Sequence, residues 1–90
     1  MPKKSLAKSP DGANYEKVAV LVREKREARK LSQDNLSLHL GESRTFIQKV
    51  EYMQRRMDVV EFFRFAKALS LDPKELYGEL VNRFEEAEKN

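Results

Sequence analysis

The 90-residue chain carries 40% hydrophobic and 37% charged side chains, no Cys and a single His. That is room for one small domain, without a disulfide framework or a cysteine-based zinc site; one His among scattered carboxylates makes no ligand cluster, so neither metal nor cofactor is expected. The net charge of +3 is uneven: residues 1–30 carry nine Lys/Arg against four Asp/Glu, residues 31–60 four against four, and residues 61–90 five against seven. A basic amino half points to an anionic partner, with a mixed soluble surface as the plainer alternative. The longest apolar run, Val18 to Val22, is far too short for a membrane span, and MPKKSLAKSP lacks the apolar core of a leader. A soluble, cytoplasmic protein is expected.

Residues 1–13, with Pro2, Pro10, Gly12 and Lys3, Lys4 and Lys8, read as a flexible basic arm that either reaches the anionic partner or is simply disordered. Asn14 is a plausible cap for a first helix to about Lys30, with Val18, Leu21, Val22 and Ala28 inward and Arg23, Lys25, Arg29 and Lys30 outward. Ser32 caps a second helix, Gln33 to Leu40, which Gly41 ends. Ser43 caps a third, about Arg44 to Tyr52, with Ile47 and Val50 inward. After a loop over 53–57, Asp58 caps a fourth helix to about Leu69 that turns Phe62, Phe65, Ala66 and Leu69 inward. Asp72 and Pro73 open a fifth, placed at about 72–88. No useful stretch alternates with period two, so the fold class is all-α, and residues 14–90 form one domain.

The second and third helices are each too short to be stable alone, and a tight Gly-containing turn joins them. That is a helix-turn-helix, in which shortness serves presentation of the second member to a major groove. The stretch 31–73 resembles the lambdoid repressor/Cro-type, or XRE-like, helix-turn-helix domain over roughly residues 15–77. The residues that carry the likeness are Leu31-x-Gln33, Gly41, Ser43, Glu51, and Ala66-x-Ala68-Leu69 before Asp72-Pro73. The resemblance implies a five-helix, lambda-repressor-like bundle with the third helix in the major groove. It implies a phosphate contact from Gln33 and a buried ion pair between Arg26 and Glu51. Two departures stand out: Ser37 replaces the usual Ala, and Tyr52-Met53 replaces the frequent polar-Gly pair, which puts the exit from the third helix in question.

Burial of Ile47 and Val50 turns Arg44, Thr45, Gln48 and Lys49 outward, residue types suited to base edges. Ser43 joins them at the helix start. The competing reading is an ordinary solvated face. Gln33, Tyr52, Arg55 and Arg56 are candidate phosphate contacts, with a solvated loop as the alternative for the arginines. Phe46 reads as partly buried, and His39 as a surface residue with no role.

On the fifth helix, Tyr77, Leu80, Val81 and Phe84 extend past the expected core and suggest a homodimer, or fold back on their own domain. The function read from the sequence is a sequence-specific transcriptional regulator, a homodimeric repressor on a near-palindromic DNA operator. The alternative is an antitoxin whose carboxyl helix holds a protein partner. An enzyme is disfavoured: no nucleophile has a matching base, and no Gly-rich loop could cradle a phosphate.

Overall fold

The computed structural model describes residues 5–89. A 3₁₀ turn, Leu6–Lys8, precedes five helices: α1 (Gly12–Ala28), α2 (Gln33–His39), α3 (Phe46–Glu51), α4 (Val59–Ala68) and α5 (Pro73–Glu88). No strand occurs among the described residues. α1 is the central post, packed on α3 and α5, while α2 packs on α3 and α4 on α5.

Residues 5–11 hold more regular structure than the sequence suggests. The Ser5 hydroxyl accepts the Ala7 amide at 3.2 Å, and the Leu6 amide donates to the Met53 carbonyl at 2.8 Å, tying the 3₁₀ turn to the loop after α3. α1 opens at Gly12, where a Cβ would overlap the Ala7 carbonyl oxygen, so only glycine allows this close approach. Residues 5–13 thus form a 3₁₀ turn and the start of α1, bonded to the rest of the domain; Lys3 and Lys4 lie outside the described residues. Asn14 does not cap the helix. It sits inside the first turn, and its Oδ1 is buried without a hydrogen-bond partner.

Four helices leave through the same turn. Lys30 (φ 57°), Gly41 (φ 74°), Met53 (φ 59°) and Ser70 (φ 59°) are left-handed. The next amide bonds back into the last turn each time: Leu31 to Arg26, Glu42 to Ser37, Gln54 to Lys49 and Leu71 to Ala66. Met53 thus adopts the conformation a glycine would have taken, so the exit from α3 keeps its path without one. Such a conformation costs a non-glycine residue about 1 kcal/mol or more, and the bonded carbonyls offset it.

Leu21, Val22, Leu36, Ile47, Phe65 and Leu69 are at most 2% exposed and form the centre of the core. Leu40, Phe46, Val50, Ala66, Leu76 and Leu80 complete it. On α1 the buried alanine is Ala19, whereas Ala28, expected inward, is exposed in the last turn. Phe46 is 2% exposed, core rather than partly buried. An ion-pair lattice adds to the α1–α5 contact: Lys25 with Glu79 at 3.1 Å, and Arg83 with Glu24 at 2.7 Å and Glu79 at 2.9 Å. The Lys25 ammonium, with help from Arg83, holds the Glu79 carboxyl below its usual range.

Candidate nucleic-acid interface

α3 has six residues, too few to hold its own shape, so its neighbours must hold it. Its inner face is Phe46, Ile47 and Val50, all at most 3% exposed. Its sequence neighbours Ser43 and Arg44 are exposed, the Arg44 side chain 71% so, while Thr45, Gln48 and Lys49 are half-buried. These five positions lie together on and just before α3. Arg44 is tethered only loosely, 3.9 Å from Asp34 at the start of α2.

The helix begins later than expected. Its cap position is Thr45, which makes no side-chain cap bond, and Ser43 contributes its carbonyl to the Phe46 amide at 3.0 Å. The Ile47 amide is instead taken by the hydroxyl of Ser37 on α2, at 2.9 Å.

The far end of α3 is fixed by charge. The Glu51 side chain is 1% exposed and accepts from Arg26 Nε at 2.7 Å and Nη2 at 3.1 Å. Arg26 Nη1 donates to the Leu31 carbonyl at 2.8 Å, so one guanidinium ties α1, the α1–α2 turn and α3 together. The hydrogen bond that Arg26 donates to Glu51 raises the Arg26 pKa further, and the guanidinium stays charged. Gln33 donates its Nε2 to Glu51 Oε1 at 2.9 Å. Gln33, a candidate phosphate contact, thus turns its amide inward onto this pair.

The loop arginines separate in role. Arg55 forks onto Glu61, with both bonds at 2.9 Å, and its guanidinium lies 4.5 Å over the Phe46 ring. Glu61 at once completes the capping box of α4 with Asp58. Arg55 therefore braces the loop against α3 and α4, with its side chain still 40% exposed. Arg56 is exposed, 5.5 Å over the Tyr15 ring, and Tyr52 is 56% exposed at the end of α3.

The hydrogen bond from Arg55, aided by the Asp58 amide, holds the Glu61 carboxyl below its ordinary value. Its folded pKa lies below the unfolded one, so the stabilisation is present above about pH 4.3 and lost as pH falls through the depressed value. Glu61→Gln should lower the urea midpoint near neutrality, and the gap from wild type should narrow as pH drops below about 4.3. A gap independent of pH would show that the pair contributes nothing.

The proposed dimer residues of α5 divide. Leu80 is 3% exposed and Phe84 packs against the core, so both serve their own domain; Val81 is half-buried and Tyr77 is 53% exposed. The surplus apolar surface lies mainly on α4: Val59 is 83% exposed, Val60 62% and Phe63 53%. Val59 and Phe63, with Tyr77 beside Phe62 at 6.2 Å edge to face, border an apolar groove of about 420 Å³ between α1, α4 and α5. The signal was present in Val59-Val60 and Phe62-Phe63: four large apolar residues among five cannot all face one core.

A helix-turn-helix family model matches residues 22–76. The crystal structure of the restriction-modification controller protein C.AhdI from Aeromonas hydrophila is similar, at 36% sequence identity and a TM-score of 0.65, over 71% of this chain and 97% of that one. The chain belongs to the XRE-type helix-turn-helix family. It is a DNA-binding transcriptional regulator with the lambda-repressor-like fold. Comparison with curated proteins gives no match. Among the described residues of this XRE-type protein, no helix is long and apolar enough to cross a membrane.

Proposed function

We propose that this regulator is a homodimer that occupies a near-palindromic operator and represses from it, with α3 of each copy in a major groove. The observation that carries the reading is the cluster of Ser43, Arg44, Thr45, Gln48 and Lys49 on and just before a short helix whose other face and both ends are held by the domain. Arg44 and Lys49 supply donors for guanine O6 and N7, and Thr45 a methyl for thymine. Tyr52 and Arg56, both exposed, flank the helix as phosphate contacts.

The dimer forms through the α4 face, where Val59, Val60, Phe63 and Tyr77 are exposed. A twofold pair places two recognition helices about one DNA turn, ~34 Å, apart. The likeness to a restriction-modification controller supports control of a small operon of that kind. The antitoxin alternative has less apolar surface to rest on, because Leu80 and Phe84 of the carboxyl helix pack into their own domain.

Selection from a random duplex pool at near-physiological salt tests the reading. Enrichment of a twofold-symmetric motif is expected. Sequence-blind binding that disappears with salt would sink it.

A further inference from the structure

Ser37 departs from the alanine usual in the family, and the structure gives the hydroxyl a position no alanine could fill. Its residue is 0% exposed. Ser37 Oγ donates to the Gln33 carbonyl one turn back on α2 at 2.8 Å and accepts the Ile47 amide of α3 at 2.9 Å. A hydroxyl has one proton and two lone pairs, so donation to Gln33 turns a lone pair toward α3. The first amides of any helix lack partners within it. Here the cap residue Thr45 supplies none by its side chain, and the neighbouring helix does.

A second bond runs in the same register. Gln33 lies four residues before Ser37 on α2, and its amide reaches Glu51 at 2.9 Å, four residues after Ile47 on α3. Two polar pairs, Ser37–Ile47 and Gln33–Glu51, thus join matched turns of the two helices. Apolar packing alone tolerates small slides and rotations; two hydrogen bonds one helical turn apart on each helix do not. A slip of α3 by one residue would break both and bury an unpaired amide.

We propose that Ser37 is a positioning residue for DNA recognition: its hydroxyl sets the register of α3 on α2 and so the placement of Arg44, Thr45, Gln48 and Lys49. The role rests on α3 being the DNA-facing helix. Ser37 itself touches no base. It acts by leaving the recognition helix one arrangement, in which Ile47 has its acceptor, so its loss relaxes base preference more than it weakens sequence-independent binding.

The test compares S37A with A19G, a mid-α1 change that weakens the fold away from the α2–α3 contact. The probe is the duplex that the wild-type chain enriches most from a random pool, measured against a random-sequence duplex of equal length. In S37A the ratio of the two affinities should fall about five-fold or more, with random-duplex binding nearly unchanged. In A19G the ratio should hold at temperatures where the protein is folded. In the free protein, amide exchange at Ile47 in S37A should quicken about ten-fold beyond that of Leu69, reporting loss of the local bond.

An unchanged ratio in S37A, or unchanged Ile47 exchange, would overturn the role of Ser37 while leaving DNA reading by α3 intact. A fall of the ratio in A19G equal to that in S37A would reduce the effect to general destabilisation and overturn it too. Failure of the wild type to prefer any duplex would overturn the DNA-facing assignment of α3, and this role with it.

Discussion

Glu51→Ala is expected to cost about 3–5 kcal/mol of folding stability. The carboxylate is nearly inaccessible and takes three hydrogen bonds, two from Arg26 and one from Gln33. Removing it leaves the Arg26 guanidinium, whose side chain is 11% exposed and which cannot shed its proton at any usable pH, with only the Leu31 carbonyl and exposed Glu27, 3.8 Å away. The loss is large against the ~5–15 kcal/mol that holds a small domain together, and corresponds to a fall in Tm of roughly 12–40 °C. Chemical denaturation would measure it. The double variant Arg26→Met with Glu51→Leu separates the pair from its breakage: replacing both partners with apolar groups should recover much of the loss, because the stranded charge is the expensive element. A loss under about 1 kcal/mol for Glu51→Ala would mean that the pair is not what holds the end of α3.

The elements that the sequence made legible are those with chemistry local to them. Ser32, Asp58 and Asp72 all accept amides from the first turns of the helices they precede, and Gly41 is left-handed. Each signal lies within four residues of its effect. The departures are where a distant partner decides. Asn14 looked like a cap, but the 3₁₀ turn folds over Gly12 and carries the helix start three residues earlier. Ser43 looked like a cap for α3, but Ser37 supplies the side-chain acceptor from another helix. Lys30, Met53 and Ser70 give no glycine signal, yet each turns left-handed because the following amide finds a carbonyl five residues back in the chain.

The candidate interface shows the same division. Periodicity placed Ile47 and Val50 inside, which fixes the direction of their neighbours, since helical geometry leaves no freedom there. It could not foresee that Gln33 and Arg55, both polar and near α3, would meet buried or half-buried carboxylates. A long polar side chain chooses between solvent and a partner by tertiary placement, and the positions of Glu51 and Glu61 are set by the fold as a whole. The four α5 residues proposed for a dimer divide for a related reason. The stripe on α5 was visible, but whether Leu80 and Phe84 reach the core depends on where α1 lies.

Charging the α4 face should have the largest effect on DNA binding. In the double variant V59D/F63D the altered side chains are 83% and 53% exposed, so the domain should keep its fold. Val59 is the first residue of α4, where a carboxylate is favoured by the unpaired amides of the first turn. Two copies facing each other through this surface would bring four carboxylates into an apolar contact, and the proposed dimer should dissociate. A monomer holds only one half-site, so it loses the gain from tethered binding, about 10²–10⁴-fold for a linked pair. Operator affinity should fall by that order, while affinity for a duplex carrying one half-site stays as in wild type. Sedimentation equilibrium would report the mass and titration of the two duplexes the affinities. A variant that keeps the dimer mass and its grip on the symmetric operator would move the twofold axis off α4. A wild-type monomer that already binds half-sites and whole operators alike would remove the dimer from the mechanism altogether.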